Sequence, residues 1–297
     1  MRLVTRGDLD GLTCAVLITS NETVSDIALI HPQDITDGRF EVQKGDILAN
    51  VPYHPNAGKW FDHHLQTDNN PKPPAEFEGA YGLAPSAARL VYDYYGGEAR
   101  MPQFKELVHE TDRLDSAQLD LTDVLQPEGF IKLGFTIDGR TGLGAFKDYF
   151  LFLNEELKST PIELLLQHPE VTSRWERIRT DEERFTDSIK EHSWVEKNVV
   201  ITDFRALDQV PVGNRFLVYA LYPEVNVSLR LHWGPQKKFV VAAMGHSIFN
   251  RTCQTSIGDL AGKYGGGGHR GAGTAPLPQE TADLQIQEII DVLKQNG

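Results

Sequence analysis

The sequence predicts an α/β protein with a mainly parallel N-terminal sheet flanked by helices, a helical connector and a smaller C-terminal α+β domain. In the first half, short runs rich in Ile, Val, Leu or aromatic residues alternate with helical segments, which is the pattern of a parallel sheet. In the second half, several apolar runs follow one another, and one alternates apolar and polar residues as a strand with one wet face does. A charged helical stretch separates the halves.

Local composition predicts each element in turn. Residues 3–5 are expected to form the first strand, and the apolar residues 12–19 the helix that follows it. A helix at residues 84–95 is announced by Pro85 and Ser86 and ended by two glycines. The other elements expected in the first half are strands at 26–30, 46–51 and 58–61 and a helix at 101–110. The second half is expected to contain β structure at 199–201, 216–221, 225–232 and 239–244, with helices at 257–264 and 282–294.

These changes along the chain also suggest domain boundaries. A chain of 297 residues is long enough for two domains of ordinary size. We assign residues 1–150 to the N-terminal domain, 151–198 to the helical connector and 199–297 to the C-terminal domain. The charges at residues 182–191 are typical of the solvated face of a helix.

Composition limits the partners. A hydrophobic content of 40% and a charged content of 24% are those of a globular protein with a substantial core. Two cysteines, far apart, favour a reducing compartment, and no run is long enough to span a membrane, so a cytoplasmic location is expected. The net charge of −13 disfavours long duplex nucleic acid, which basic surfaces bind, and favours small or short anionic ligands.

Three groups of potential metal ligands come directly after predicted strands. Asp8 and Asp10 follow the first strand, Asn50 ends the third, and Asp62 begins an Asp-His-His run at the end of the fourth. Ligands of parallel sheets bind outside the carboxyl ends of the strands, so these side chains are expected to share one site. Carboxylate and imidazole together suit Mn²⁺, Zn²⁺ or Fe²⁺. The alternative for the Asp-x-Asp-Gly run is a helix N-cap and turn.

A run of four glycines at residues 265–268 precedes His269 and Arg270. We expect it to be neither ordinary helix nor strand, because such a run lets backbone N–H groups approach an anion closely. The neighbouring histidine and arginine would add charge-assisted contacts to a phosphate. A flexible loop is the alternative interpretation.

Asp8-Leu9-Asp10-Gly11, Asp62-His63-His64 and the glycine run with its histidine, in this order, resemble the DHH family of phosphoesterases. The resemblance covers essentially the whole chain. It implies a metal-dependent phosphohydrolase that uses Mn²⁺ or Mg²⁺ to activate water. His63 would bind metal with Asp8 and Asp10, Asp62 would orient a histidine, and His64 would contact the phosphate. The fourth family motif is an aspartate, for which Asp112 is preferred and Asp115 is the second choice.

The chain departs from the family pattern twice. Arg6 stands where the family usually has a histidine, and Asn50 stands where it usually has an aspartate that bridges two metals. An amide carries no charge to offset two dications, and arginine adds a fixed positive charge near Asp8. The predicted metal-binding set is therefore Asp8, Asp10, Asn50, His63 and Asp112, with one firm metal position. We expect Arg6 to stand in for the second metal as part of the catalytic group with Asp62 and His64.

The C-terminal half resembles the DHHA1 domain, the smaller companion of the family that grips substrate. Arg251 sits where family members carry a substrate-binding arginine. The substrate-binding residues that the resemblance implies are Arg251, Gly266, Gly267, Gly268, His269 and Arg270.

Three functions follow from this resemblance. The leading hypothesis is an exopolyphosphatase-like enzyme that hydrolyses phosphoanhydride or phosphoester bonds in polyphosphate or a phosphorylated small molecule. The second is a phosphodiesterase for short oligonucleotides or cyclic dinucleotides, for which Trp233, Phe249 and Tyr264 are candidate base-stacking residues. The third is a phosphate-ligand binding protein with a degenerate catalytic site. Whether the protein is a homodimer is left open.

Overall fold

The computed structural model describes residues 1–64, 72–137, 143–210 and 213–295. The chain forms two compact units, and neither is continuous in sequence. The first contains Met1–Leu119 and Pro127–Trp175, and the second contains Asp120–Gln126 and Glu176–Gly297.

The first unit is built on a five-stranded sheet in which all neighbouring strands are parallel. The strand order is β2-β1-β3-β4-β5. The chain therefore leaves β1 toward one side to form β2 and returns to the other side for β3. The strands are β1 (Arg2–Thr5), β2 (Asp26–Leu29), β3 (Asp46–Ala49), β4 (Ala57–Asp62) and β5 (Gly79–Tyr81).

Alternate side chains of these strands enter two different cores, as the twofold period of a strand requires. Leu3, Ile47 and Phe61 pack with the apolar faces of most helices of the unit. Val4 and Trp60 face the opposite side, where the second helix and the segments around it cover the sheet. The helices that lie wholly in this unit are α1 (Leu9–Thr19), α2 (Pro32–Thr36), α3 (Ala87–Tyr94), α4 (Gly97–Arg100), α5 (Lys105–Asp115), α7 (Gly129–Phe135), α8 (Leu143–Glu156) and α9 (Ile162–Leu165).

The second unit is built on a six-stranded mixed sheet in the order β10-β11-β9-β8-β7-β6. All neighbouring pairs are antiparallel except β7 and β8. Its strands are β6 (Ser193–Glu196), β7 (Val199–Asp203), β8 (Val227–Trp233), β9 (Phe239–His246), β10 (Gly267–His269) and β11 (Ala272–Pro278).

One face of this sheet packs against two helices that complete the second core. The helices of the unit are α6 (Leu121–Leu125), α11 (Leu217–Leu221), α12 (Ile257–Gly262) and α13 (Ala282–Gln295). The 24-residue helix α10 (Pro169–His192) begins in the first unit and ends in the second. Among the described residues, no helix has both the length and the apolar character that a membrane span needs.

The predicted fold class is confirmed, but three local expectations are corrected and strand β5 was not expected. Residues 216–221 were expected to be β structure, whereas Leu217–Leu221 is helix α11. The glycine run was expected to avoid strand, whereas Gly267–His269 pairs with β11 as strand β10. The sequence analysis did not predict β5, because Gly79–Tyr81 is only three residues long. The helix expected at residues 101–110 is α5, which begins at Lys105 and extends to Asp115.

Candidate active site

The carboxyl ends of β1, β3 and β4 bring the predicted site residues of the first unit to one edge of the sheet. Asp8 follows β1, Asn50 follows β3, and Asp62 is the last residue of β4. Because β1 lies between β2 and β3, the strand order reverses here, and crevices at such reversals are the usual ligand sites of open α/β sheets. The sequence argument from strand ends leads to this same edge.

Asp10 is held by the start of α3. It lies in the first turn of α1 and is 1% exposed. Its carboxylate accepts hydrogen bonds from Ala88 N at 2.7 Å and Ala87 N at 3.0 Å. Both donors are N–H groups of the first turn of a helix, which have no partner within the helix, and a helix N-terminus favours an anion. The two bonds fix the orientation of Asp10.

His63 presents a bare nitrogen to two carboxylates. Its Nδ1 lies 3.0 Å from the carbonyl oxygen of Ala84, which only accepts, so in the neutral ring Nδ1 carries the proton. Nε2 then holds a lone pair that lies 3.3 Å from Asp115 Oδ2 and 3.7 Å from Asp10 Oδ2. This nitrogen is buried and makes no hydrogen bond within the described part of the chain. A lone pair that faces two carboxylates favours a cation between them.

These three side chains fit one divalent ion. Ligand atoms of Asp10, His63 and Asp115 all lie within 4.8 Å of one another. Burial, followed by the charges of Asp115 and Asp8, raises the pKa of Asp10 well above its usual range. Burial and the charge of Asp8 likewise raise the pKa of Asp115. A dication would relieve this crowding of negative charge, and the bond from His63 to a backbone carbonyl is the usual support of a metal-binding histidine.

Asp112, the preferred candidate for the fourth motif, is engaged elsewhere. Its carboxylate accepts hydrogen bonds from Ser86 Oγ at 2.6 Å, Arg89 Nε at 3.0 Å and Arg89 Nη2 at 2.6 Å. The geometry therefore favours Asp115, the second choice for the fourth motif, over Asp112 in the candidate metal site. Asp112 instead joins α5 to the start of α3, because Ser86 is the N-cap of that helix. Sequence analysis did not identify the structural role of Ser86 and Arg89, although Ser86 was noted as a helix start.

Asp62 orients His64 rather than His63. Asp62 is 2% exposed, and its Oδ1 lies 2.7 Å from His64 Nδ1. The same oxygen accepts from the backbone N of His63 at 3.0 Å and of His64 at 3.3 Å. Burial lowers the pKa of His64, but the hydrogen bond and charge of Asp62 outweigh it, and the net pKa is raised. The arrangement favours an imidazolium that can donate to a phosphate.

Asp8 is held by both residues that depart from the family pattern. Its Oδ2 lies 3.0 Å from Arg6 Nε, and its Oδ1 accepts from Asn50 Nδ2 at 3.0 Å. Asp8 is also the N-cap of α1, because Oδ1 accepts from Gly11 N at 2.9 Å. The N-cap interpretation of the Asp-x-Asp-Gly run therefore holds for Asp8, while Asp10 lies inside the helix.

The predicted substrate-binding residues of the second unit surround a tightly packed glycine strand. An added Cβ would lie 2.0 Å from the Thr274 carbonyl oxygen at Gly266 and 2.2 Å from that of Ala272 at Gly268. Gly266 and Gly268 are therefore required for the close approach of this segment to β11. Gly267, His269 and Arg270 continue this strand and the turn after it, and all three are exposed. Arg251 is exposed as well, and its Nε donates to the carbonyl of Ile248 at 3.0 Å.

The proposed stacking aromatics of this unit are only partly available. Trp233 and Tyr264 are half-buried and pack against the second core. Trp233 Nε1 donates to the Arg205 carbonyl at 3.0 Å, and Tyr264 donates to Glu288 at 3.1 Å. Phe249 is half-buried. These contacts give Trp233 and Tyr264 a structural role.

The fold and this site can be compared with known proteins. A pGpG-specific phosphodiesterase, PggH from Vibrio cholerae, is 40% identical, with a TM-score of 0.81, over 100% of this chain and 99% of its own. This identity over the whole length decides the family. The chain belongs to the DHH family of phosphoesterases.

More distant solved structures share the fold of this DHH-family enzyme. The DHH domain of a protein described as a member of a ribosomal-protein family is 14% identical, with a TM-score of 0.59, over 99% of this chain and 86% of its own. RecJ in complex with Mn²⁺ from Thermus thermophilus is 11% identical, also with a TM-score of 0.59, over 99% of this chain and 52% of its own. No protein-family profile and no curated protein matches the sequence.

Proposed function

We propose that this DHH-family phosphoesterase is a metal-dependent phosphodiesterase of short linear oligonucleotides, with a dinucleotide such as pGpG as its preferred substrate. The observation that supports this most is the 40% identity, over nearly the full length of both chains, to a pGpG-specific phosphodiesterase. The proposal favours the oligonucleotide alternative over the exopolyphosphatase-like hypothesis, which had the leading place in the sequence analysis. The net charge of −13 also fits a short substrate better than a long duplex.

The proposed cofactor is Mn²⁺ or Mg²⁺, held by Asp10, His63 and Asp115. A bound ion of this kind polarises a phosphoryl oxygen and lowers the pKa of a coordinated water. RecJ of the same fold has been solved with Mn²⁺, which supports manganese as the first ion to test. The two N–H groups at the start of α3 hold Asp10, and the Ala84 carbonyl holds His63, so two of the three donors are oriented before metal binds.

The remaining residues of the first unit would act on the phosphate itself. Asp62 favours the protonated form of His64, and 49% of the His64 side chain is exposed, so its imidazolium would donate to a phosphate oxygen or to the leaving 3′-oxygen. Arg6 supplies a fixed positive charge beside Asp8. Hydrolysis of the single phosphodiester of pGpG adds one water, breaks the bond between phosphorus and the 3′-oxygen, and releases two molecules of GMP.

We also propose a division of labour between the domains of the sequence analysis. The N-terminal domain would carry the metal chemistry, and the DHHA1-like C-terminal domain would bind the substrate. The exposed Arg251, His269 and Arg270 are the candidate contacts, because charged donors bind phosphates more strongly than neutral ones.

The experiment is an assay of the purified protein with Mn²⁺ against pGpG, a cyclic dinucleotide and polyphosphate, with products separated by chromatography. We expect GMP from pGpG and much slower reaction of the others. His63→Gln should abolish the reaction, whereas His109→Gln, which changes a histidine with a 64% exposed side chain on α5, should not. Release of phosphate from polyphosphate without GMP formation would overturn the proposal. Binding of pGpG without any hydrolysis would favour the degenerate-site hypothesis instead.

A further inference from the structure

The resemblance to the DHH family implies an aspartate that bridges two metals where this chain has Asn50. Among the described residues, one group of three potential ligands, Asp10, His63 and Asp115, lies close enough together to hold an ion. We propose that the guanidinium of Arg6 takes the place of the second ion, so that the working site combines one divalent metal with one fixed organic cation. The inference rests on the proposed function only for the identity of the phosphate that Arg6 would bind. The argument for one metal depends on the geometry around Asp8.

Both oxygens of Asp8 are already engaged. Oδ1 accepts hydrogen bonds from Gly11 N at 2.9 Å and Asn50 Nδ2 at 3.0 Å, and Oδ2 lies 3.0 Å from Arg6 Nε in an ion pair. The two hydrogen bonds use the lone pairs of Oδ1, and the guanidinium charge stands beside Oδ2. The charges of Arg6 and Asp8 cancel. A second dication near Asp8 would therefore meet a neutral pair rather than an anion.

Asn50 adds little for a second ion. Its Nδ2 must face Asp8, because a carboxylate can only accept, and this leaves Oδ1 as the one atom that could bind a cation. Oδ1 is buried and makes no hydrogen bond within the described ranges. Its position is fixed by the backbone, which has a φ of 58° and donates from Asn50 N to the Phe61 carbonyl at 2.9 Å. A second ion would therefore find one neutral amide oxygen here, whereas the first ion would have the carboxylates of Asp10 and Asp115 and the imidazole of His63.

Arg6 can bind a phosphate while it remains paired. The ion pair uses Nε, one of five N–H donors, and 44% of the side chain is exposed. Its partner Asp8 lies two residues before the candidate metal ligand Asp10, so the ion pair places Arg6 at the same end of the sheet as the candidate metal site. A guanidinium binds two phosphate oxygens side by side and neutralises charge that develops on them. It cannot activate water as a metal does, so that task falls to the single ion.

The test measures metal first and without substrate. Isothermal titration with Mn²⁺ and elemental analysis should give one tight ion per wild-type chain, and the electron paramagnetic resonance spectrum should be that of an isolated Mn²⁺. Arg6→His combined with Asn50→Asp restores the family donors and should bind two ions. Two ions of comparable affinity in the wild type would overturn the proposal. So would a folded double variant that still binds one, because Arg6 and Asn50 would then not be what excludes the second.

Single substitutions test the phosphate contact. Arg6→Gln should keep one ion with an Mn²⁺ affinity within about twofold of wild type, and it should raise the KM for pGpG about tenfold or more, which corresponds to at least about 1.4 kcal/mol. Arg39→Gln is the matched control, because Arg39 also pairs with aspartates but lies in the segment after α2. An unchanged KM in Arg6→Gln would overturn the role of Arg6. If no variant and no wild-type protein hydrolysed pGpG, the proposed function would fail while the metal count stood.

Discussion

Two aspartates of one helix, Asp112 and Asp115, should respond in opposite ways to the same mild change. Replacing either by asparagine keeps its size and removes its charge. Asp112 holds three hydrogen bonds from Ser86 and Arg89, so Asp112→Asn should destabilise the protein. The Asp115 side chain is 30% exposed, and desolvation and the charge of Asp8 raise its pKa. Its ionised form is therefore disfavoured in the fold, and Asp115→Asn should leave the metal-free protein equally stable or more stable.

The magnitudes follow from these contacts. Hydrogen bonds to charged groups contribute about 1.5–3 kcal/mol. A loss of 1 kcal/mol lowers the melting temperature of a unit of this size by about 2–4 °C. The Asp112→Asn variant should therefore melt about 3–12 °C below the wild type. An ion that binds only the folded state adds about 2.7 kcal/mol at a hundred times its Kd. Mn²⁺ should thus raise the wild-type melting temperature by about 5–11 °C. Asp115→Asn should lose this rise, and Asp112→Asn should keep it.

The assay is thermal unfolding of the wild type and both variants, in chelator and in excess Mn²⁺, with the metal affinity measured by titration calorimetry. The decisive quantity is the difference in melting temperature between the two buffers for each protein. If Asp112→Asn abolished this difference while Asp115→Asn retained it, the assignment of Asp115 as the ligand would be wrong. If both variants kept it, neither carboxylate would be needed for the ion.

Three further predictions concern other parts of the molecule. Leu83 is 96% exposed and directly precedes Ala84, whose carbonyl holds His63, so we expect Leu83 to contact a substrate base. Leu83→Ser should raise the KM for pGpG about tenfold with unchanged stability. Leu164→Ser, at a leucine that is 60% exposed, should leave the KM unchanged. Gly268→Ala, at a φ of 154°, should lower the free energy of unfolding of the second unit by about 3 kcal/mol or more, measured in urea. Gly267→Ala, where no atom lies within 4 Å of the added Cβ, should change this free energy by less than about 1 kcal/mol. A hydrogen bond from Lys59 lowers the pKa of Glu22 below its ordinary value of 4.5. The stabilisation that this pair contributes is present above pH 4.5 and is lost as the pH falls through the lowered pKa. Glu22→Gln should therefore be about 1 kcal/mol less stable at neutral pH and match wild type in acid, and a deficit that persisted in acid would contradict this.

The position of the candidate site at one edge of the first sheet could be predicted because strand ends can be recognised from the local sequence. Short β-type runs that end in Asp8, Asn50 and Asp62 identify strand ends, and the carboxyl ends of parallel strands meet at one edge. The fourth motif could not be resolved in the same way. Asp112 and Asp115 are three residues apart on one helix and lie on the same face. Ser86 and Arg89 engage Asp112 from elsewhere in the chain, and this leaves Asp115 as the candidate partner of His63.

The errors in the second unit have a similar cause. The apolar run at residues 216–221 is too short for its period to separate helix from strand, and tertiary packing decided for helix α11. The glycine run gave no side-chain pattern, so its pairing with β11 could not be read from it. At Gly268 the neighbouring strand approaches so closely that only glycine fits. Contacts between elements, rather than propensity along the chain, set both outcomes.

The short helix α6 has a consequence for how the gene can be divided. Asp120–Gln126 belongs to the second unit, although the chain on both sides of it belongs to the first. Val124 of this segment is 1% exposed, and its carbonyl accepts from Asn214 at 3.4 Å. The polypeptide therefore crosses between the units at three places, and a fragment that starts at residue 176 lacks a piece of its own interior. Recombination at a single junction therefore could not exchange the second unit intact.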